Sequence, residues 1–206
     1  MIQGTDGRLE RQLAFIQELD RLKGVLRQTR VRDGARQENS AEHSWHLALC
    51  AVLLAEHAPA GTDLLRVLKM VLVHDVVEIE AGDAFAYDPH ANVGKQEREQ
   101  LAAEAIFGLL PDDLADELQA LWMEFEAGDT PDARFAVALD RFQPLLLNFN
   151  GQGGSWKYHS VTADRVLLRM APIQEGAPGL WPLVLRLLDE AVTRGYLLPA
   201  AIVQDT

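Results

Sequence analysis

The run from Leu68 to Ile79, LKMVLVHDVVEI, is the most continuously apolar part of the chain, yet two ionisable neighbours, His74 and Asp75, stand inside it. A segment this apolar is buried in a water-soluble fold, and it takes the imidazole and the carboxylate with it. Burying such a pair is costly unless other groups or a cation compensate. Any fold of this chain must therefore deliver compensating partners to one point in its core.

The rest of the pattern is helical. Leu9, Leu13, Ile16, Leu19, Leu22 and Leu26 recur at three- and four-residue steps, which predicts an amphipathic first helix reaching Leu26. The polar stretch RQTRVRDGARQENS follows, with a turn at Asp33-Gly34. Asn39 and Glu42 have the spacing of a capping box, so a second helix starts near Ser40 and runs to about His57, ahead of Pro59. Asp63 to Ile79 reads as a third helix, apolar almost all round, as at the centre of a bundle. After a loop with Gly82, Pro89 and Gly94 comes a charged helix from Lys95 to Leu110. Pro111-Asp112-Asp113 and Pro131-Asp132 start two more, since proline and acidic residues favour helix N-termini. GQGGSW breaks the pattern before two shorter helices near 162–171 and 179–195. No segment alternates clearly enough to read as a strand. The expectation is an all-α helical bundle spanning 1–206 as one domain, with a core over about 8–150 and C-terminal helices over 160–197 packed on it.

A length of 206 residues suits one domain. The net charge of −12 argues against sequence-independent binding to a nucleic acid polymer, which needs lysines and arginines to neutralise phosphates. It leaves room for a small anionic substrate met by a local cation cluster or a metal. No apolar run reaches the ~18–20 residues of a membrane span, and the N-terminus lacks a signal-peptide core. The lone cysteine, Cys50 in LALCAVLLA, reads as a core residue and fits a reducing, cytoplasmic setting with no membrane partner.

Three further residues turn the buried pair into a candidate site. Glu78 follows His74 by four residues and Asp75 by three, which puts all three on one helix face. His43 stands near the start of the second helix and Asp140 in the middle of the helix after Pro131. Two imidazoles and two carboxylates form a mixed nitrogen–oxygen set that suits Mn²⁺, Co²⁺, Fe²⁺, Ni²⁺ or Zn²⁺ better than Ca²⁺, with Mg²⁺ a further candidate. Four protein ligands leave positions for water and a phosphate oxygen, and Glu78 is placed to act as general base or acid. His46, one turn after His43, is expected to line the pocket. His90 is the sole histidine between His74 and Asp140, and this scarcity favours one divalent metal ion over two. Lys95 and Arg98 read as a solvated helix face ahead of a phosphate contact, and Trp156, Lys157 and His159 as a surface loop ahead of a lid folded over the pocket. Trp122, Phe125, Phe135, Phe142 and Phe149 read as core or dimer interface.

The ordered set His43, His74-Asp75, Asp140, together with ENSAEHSW, LVHDVVEIEAGD, KQEREQ and the block from Leu109 to Gln143, resembles the HD-domain phosphohydrolases, and within them the subgroup of 5'-deoxynucleotidases. The resemblance covers roughly Leu13 to Phe149. It implies a helical bundle, often a homodimer, that releases phosphate from deoxynucleoside 5'-monophosphates. It also implies His43, His74, Asp75 and Asp140 as metal ligands, Glu78 as catalytic, Arg36 near the substrate phosphate and Asp83 beside the site. One departure stands out. Where that subgroup often carries an Arg-Trp or Gly-Trp pair, this chain reads Gln28-Thr29, flanked by Arg27 and Arg30, so a preference for deoxyribose does not carry over, and Arg27 joins the candidate substrate contacts. Two rival readings are a non-catalytic nucleotide-binding module and an HD-fold di-iron oxygenase. The second needs histidines this chain lacks.

Overall fold

The computed structural model describes residues 7–200. Helix α1, Gly7–Leu19, is followed by a 3₁₀ turn over Asp20–Gly24. The chain then extends into a small hairpin, β1 (Leu26–Arg30) and β2 (Gln37–Asn39), paired antiparallel. This corrects two expectations, that the first helix reaches Leu26 and that no strand is present. Helical spacing carries through Phe15 and Leu22, both buried, but Leu26 is exposed on the hairpin. The strands escape a reading by alternation because LRQTR and QEN are nearly all polar, although Thr29 and Glu38 are buried. The turn does fall at Asp33-Gly34. Gly34 takes φ +72°, which glycine adopts without steric cost, and Asp33 Oδ1 accepts from the Ala35 amide at 2.9 Å.

Helix α2 (Ser40–Leu53) starts on the capping box: Asn39 accepts from the Glu42 amide and Glu42 reaches back to the Asn39 amide. It ends short of His57, and Ala55–His57 form a 3₁₀ turn. Helix α3 (Leu64–Val73) is capped by Asp63. It is not apolar all round in use: Val67, Met70 and Val71 are buried, whereas Leu65 and Leu72 face solvent. The α3 ladder stops at Val73. His74 to Val77 form tightened turns in which the Glu78 amide bonds the Asp75 carbonyl at 3.0 Å, and α4 (Glu78–Ala81) resumes the helix. The expected continuous helix therefore breaks at the buried ionisable pair.

Helices α5 (Lys95–Phe107), α6 (Asp112–Ala127) and α7 (Pro131–Asn150) follow, the last two starting where proline and acidic residues predict. The glycine-rich break leads into α8 (Gly154–Tyr158), then α9 (Ala163–Met170), α10 (Ile173–Gly176) and α11 (Trp181–Thr193). The result is an all-α bundle with one short hairpin.

Helix α7 is its axis and packs against α2, α3, α6 and α10. One buried cluster joins Leu47, Val67, Met70, Phe135, Leu139 and Phe142 to Trp156, Val166 and Val184 of the C-terminal helices. A second joins Phe15 and Leu22 to Val76, Val77, Ile106 and Phe107. Helix α10 lies so close to α7 that a Cβ on Gly176 would stand 2.0 Å from the Arg134 carbonyl oxygen, so only glycine fits there. Pro144, inside α7, lacks the amide that would bond the Asp140 carbonyl one turn earlier. The elements that meet at His74-Asp75 are thus α2, the α3–α4 junction, α7 and the hairpin.

Candidate metal centre

His43, His74, Asp75 and Asp140 converge in the core, the two histidines 0% and 4% exposed and each aspartate 8%. His43 comes from the first turn of α2, His74 and Asp75 from the α3–α4 junction, and Asp140 from the middle of α7. His43 Nε2 stands 2.9 Å from Asp140 Oδ1 and 3.9 Å from Asp75 Oδ2. His74 Nε2 lies 3.1 Å from Asp75 Oδ1 and 3.7 Å from Asp140 Oδ1. His43, His74 and Asp75 each offer one ligand atom, all within 4.8 Å of one another.

The ring tautomers follow from the outer contacts. His74 Nδ1 donates to the Val71 carbonyl at 3.0 Å. Gln143 Nε2 donates to Glu38 at 2.7 Å, which turns its Oε1 toward His43 Nδ1 at 3.0 Å, so that nitrogen carries the hydrogen. In these tautomers both Nε2 atoms turn lone pairs toward carboxylate oxygens, His43 to Asp140 at 2.9 Å, and His74 Nε2 is buried with no hydrogen-bond partner among the described residues. Such nitrogen lone pairs beside carboxylates are satisfied by a shared cation, either a proton or a metal ion. A divalent ion fits this donor set, and histidines oriented through their far nitrogens are the usual metal-ligand arrangement.

The electrostatics match. Burial, then the neighbouring Arg27 charge, hold His43 at about 4. Burial works against charge on His74, yet Asp75 and Asp140 outweigh it and raise its pKa. Asp140 is buried too, but Arg141, His43 and His74 keep it well below the usual carboxylate range. Burial and the Asp75 charge push Glu78 well above its ordinary value. Ser40 Oγ donates to Glu78 Oε2 at 2.7 Å and fixes the carboxyl at the edge of the site.

The family comparison agrees with this geometry. The model for the HD domain matches residues 19–181. This chain belongs to the HD-domain family. Among the HD-domain proteins, human 5'-deoxynucleotidase HDDC2 is 33% identical over 135 residues, which is 65% of this chain and 65% of the human protein. The 5'-deoxynucleotidase hdd1 of Schizosaccharomyces pombe is 30% identical over 143 residues, 66% of this chain and 69% of the yeast one. The match thus leaves about a third of the human relative's length unpaired. A crystal structure of a predicted metal-dependent phosphohydrolase from Magnetospirillum magnetotacticum MS-1 is 52% identical, with a TM-score of 0.90 covering 94% of this chain and all of that one. A conserved hypothetical protein from Pyrococcus furiosus shares the fold, at 17% identity and a TM-score of 0.62 over 88% of this chain and 99% of its own.

The remaining candidates in this HD-domain chain separate clearly. Glu78, Asp83 and Arg27 line the cavity that opens on His74, Asp75 and Asp140, and His43 lies behind its wall. Arg27, on β1, donates to Asp75 Oδ2 at 2.5 Å and lies 4.0 Å from Asp83 and from Asp140. Arg36 does not reach the cavity. It stands exposed in the hairpin turn just ahead of β2, and its guanidinium pairs with half-buried Glu42 at 2.6 and 2.8 Å. His46 does not face the cavity either; its Nδ1 accepts from Gln143 Nε2 at 3.0 Å, behind His43.

Several residues beyond those candidates also take part. Gln143 follows Asp140 by three residues, a spacing that places it on the same helix face. Lys95 lines the cavity and pairs with Glu99 at 3.2 Å, contrary to the expected solvated face, whereas Arg98 donates to the carbonyls of the preceding loop. Trp156 is 2% exposed and lines the cavity, which corrects the surface-loop expectation. Phe85, Tyr87, Arg141 and Arg169 complete the wall, and for Arg169 the sequence carries no signal.

Proposed function

We propose that this chain is a metal-dependent phosphohydrolase that releases phosphate from nucleoside or deoxynucleoside 5'-monophosphates. The observation that carries this reading is the buried convergence of His43, His74, Asp75 and Asp140, the last three lining one cavity with Glu78 and Arg27. On this reading those four residues hold one divalent ion, drawn from Mn²⁺, Co²⁺, Ni²⁺, Fe²⁺, Mg²⁺ or Zn²⁺. Such an ion, when bound, supplies positive charge to phosphoryl oxygens and acidifies an attacking water.

The protein side chains do the rest. Arg27 neutralises the phosphate from the hairpin side, as a guanidinium fork does well, and Asp75 and Asp83 hold it in place. Ser40 occupies Glu78 Oε2, which leaves Oε1 to exchange a proton at the reacting oxygen. A buried carboxyl whose pKa is raised by burial and by Asp75 holds a proton more readily than an ordinary glutamate, which suits it to that exchange. Phe85 and Tyr87 give the cavity an aromatic face suited to a base or sugar.

The surroundings suit a single-domain cytoplasmic homodimer. One buried cluster ties the C-terminal helices to α2, α3 and α7, which supports one domain; the first and last six residues of that unit lie outside the described ones. Trp45, Leu49, Val52 and Leu53 form an exposed stripe along α2, suited to a second copy. Among the described residues no helix is long and apolar enough to cross a membrane, and the acidic surface suits a small substrate better than a nucleic acid polymer.

The test is phosphate release from a panel of ribo- and deoxyribonucleoside monophosphates, with protein stripped by chelator and refilled with one metal at a time. Release restored by metal and reduced about 10²–10⁴-fold in Glu78→Gln is the expected result. Bound metal with no release from any monophosphate would reject the reading.

A further inference from the structure

The cavity does not end at the candidate centre. Ala86, Tyr87, Arg141 and Arg169 line it and also line an adjoining surface groove, whose outer part is formed by Arg165 and Leu168. The groove therefore brings three guanidinium groups together in a chain whose net charge is −12. Among the described residues a carboxylate pairs with one of the three: Arg141 with Asp140. Arg165 donates to the Tyr87 carbonyl and lies 5.5 Å over the Tyr87 ring, and among the described residues no carboxylate pairs with it. Arg169 is partly buried, with no ion pair and no hydrogen bond among the described residues.

This arrangement works against stability as it stands. Arg165 and Arg169 are four residues apart on α9, where like charges repel, and Arg169 also faces Arg141. Partly burying an unpaired cation beside another is unfavourable unless an anion completes the cluster. For the scissile phosphate Arg27 already stands against Asp75, and Arg165 lies outside that cavity. A carboxylate would need one guanidinium fork, whereas a phosphate dianion has charge and oxygens for several.

We propose that Arg141, Arg165 and Arg169 form a second anion subsite, so that a nucleotide carrying a further phosphate group binds this cavity more tightly than the monophosphate that is cleaved. That the bound nucleotide competes with a substrate rests on the phosphohydrolase reading above, whereas its binding does not. The added phosphate could sit on the sugar or extend the 5' chain, and both are probed.

The experiment measures equilibrium binding of dAMP, dADP and deoxyadenosine 3',5'-bisphosphate to chelator-stripped protein, for the wild type, Arg165→Gln and Arg169→Gln. We expect at least one doubly phosphorylated ligand to bind 10-fold or more tighter than dAMP, with a steeper loss of affinity in salt. That preference should collapse toward unity in both variants. Whichever ligand is preferred places the second phosphate. We also expect a melting temperature in Arg169→Gln no lower than in the wild type, because the change relieves repulsion. Equal binding of all three ligands to the wild type overturns the proposal. So does a preference that survives both substitutions, a loss of the same factor for every ligand, or a marked fall in melting temperature in Arg169→Gln. Failure of the protein to release phosphate would leave these binding ratios intact, so the two readings fail separately.

Discussion

Gln143 is the residue through which the geometry of the candidate centre can be tested without touching a ligand. Its side chain accepts from His43 Nδ1 at 3.0 Å, donates to Glu38 at 2.7 Å, and meets His46 Nδ1 at 3.0 Å, all with Gln143 0% exposed. Gln143→Leu keeps much of the volume but removes every one of these bonds. The buried His43 N–H and the buried Glu38 oxygen then lose their partners, at about 1–3 kcal/mol each, so the metal-free protein should lose about 2–6 kcal/mol of unfolding free energy. Without its Nδ1 acceptor His43 is free to take the other tautomer, and residues that orient a metal-bound histidine typically contribute about 10–100-fold in affinity. Urea denaturation of the stripped protein and calorimetric titration with Mn²⁺ measure the two effects. A variant within about 0.5 kcal/mol of wild type, binding metal equally well, would refute the claim that Gln143 sets the His43 tautomer.

Two further outcomes are expected. In the metal-free protein Glu38 titrates at about 7 instead of near 4.5, chiefly through burial, while burial and Arg27 hold His43 at about 4 instead of near 6.5. The raised carboxyl costs stability as pH climbs from 4.5 to 7, and the depressed imidazole costs it as pH falls from 6.5 to 4, each by about 3 kcal/mol, so they offset one another in between. Glu38→Gln removes the first, and should gain up to about 3 kcal/mol over wild type at pH 8 and almost nothing at pH 4.5; urea midpoints showing the same difference at both pH values would contradict this. Gly176→Ala should lower stability by about 1–3 kcal/mol or more, because its Cβ would overlap the Arg134 carbonyl, and an unchanged melting temperature would show that α10 can move off α7 without cost.

Much of this architecture is legible in the sequence, for reasons that differ by element. The starts of α2, α6 and α7 are written in local chemistry, as the Asn39–Glu42 box and the prolines at 111 and 131. The four converging residues could be named because burying His74 and Asp75 in an apolar run demands partners, and the ordered motif supplies them. Less accessible was anything set by tertiary contact. The hairpin carries too little apolar alternation to announce itself, and it decides that Arg27 faces the cavity while Arg36 turns outward to Glu42. The break at His74 arises where α3 must present adjacent residues to one point, which a continuous ladder does not do. Trp156, Arg165 and Arg169 lie far from the motif in sequence, and only the packing of the C-terminal helices on α7 brings them to the cavity and its groove.

The most direct test of the central claim is metal stoichiometry. Elemental analysis of protein stripped, refilled with Mn²⁺ and dialysed should give one ion per wild-type chain. It should give almost none for His74→Ala, Asp75→Ala or Asp140→Ala proteins whose near-ultraviolet circular dichroism still shows a folded core. Undiminished metal in those folded variants, or none in the wild type, would contradict the account.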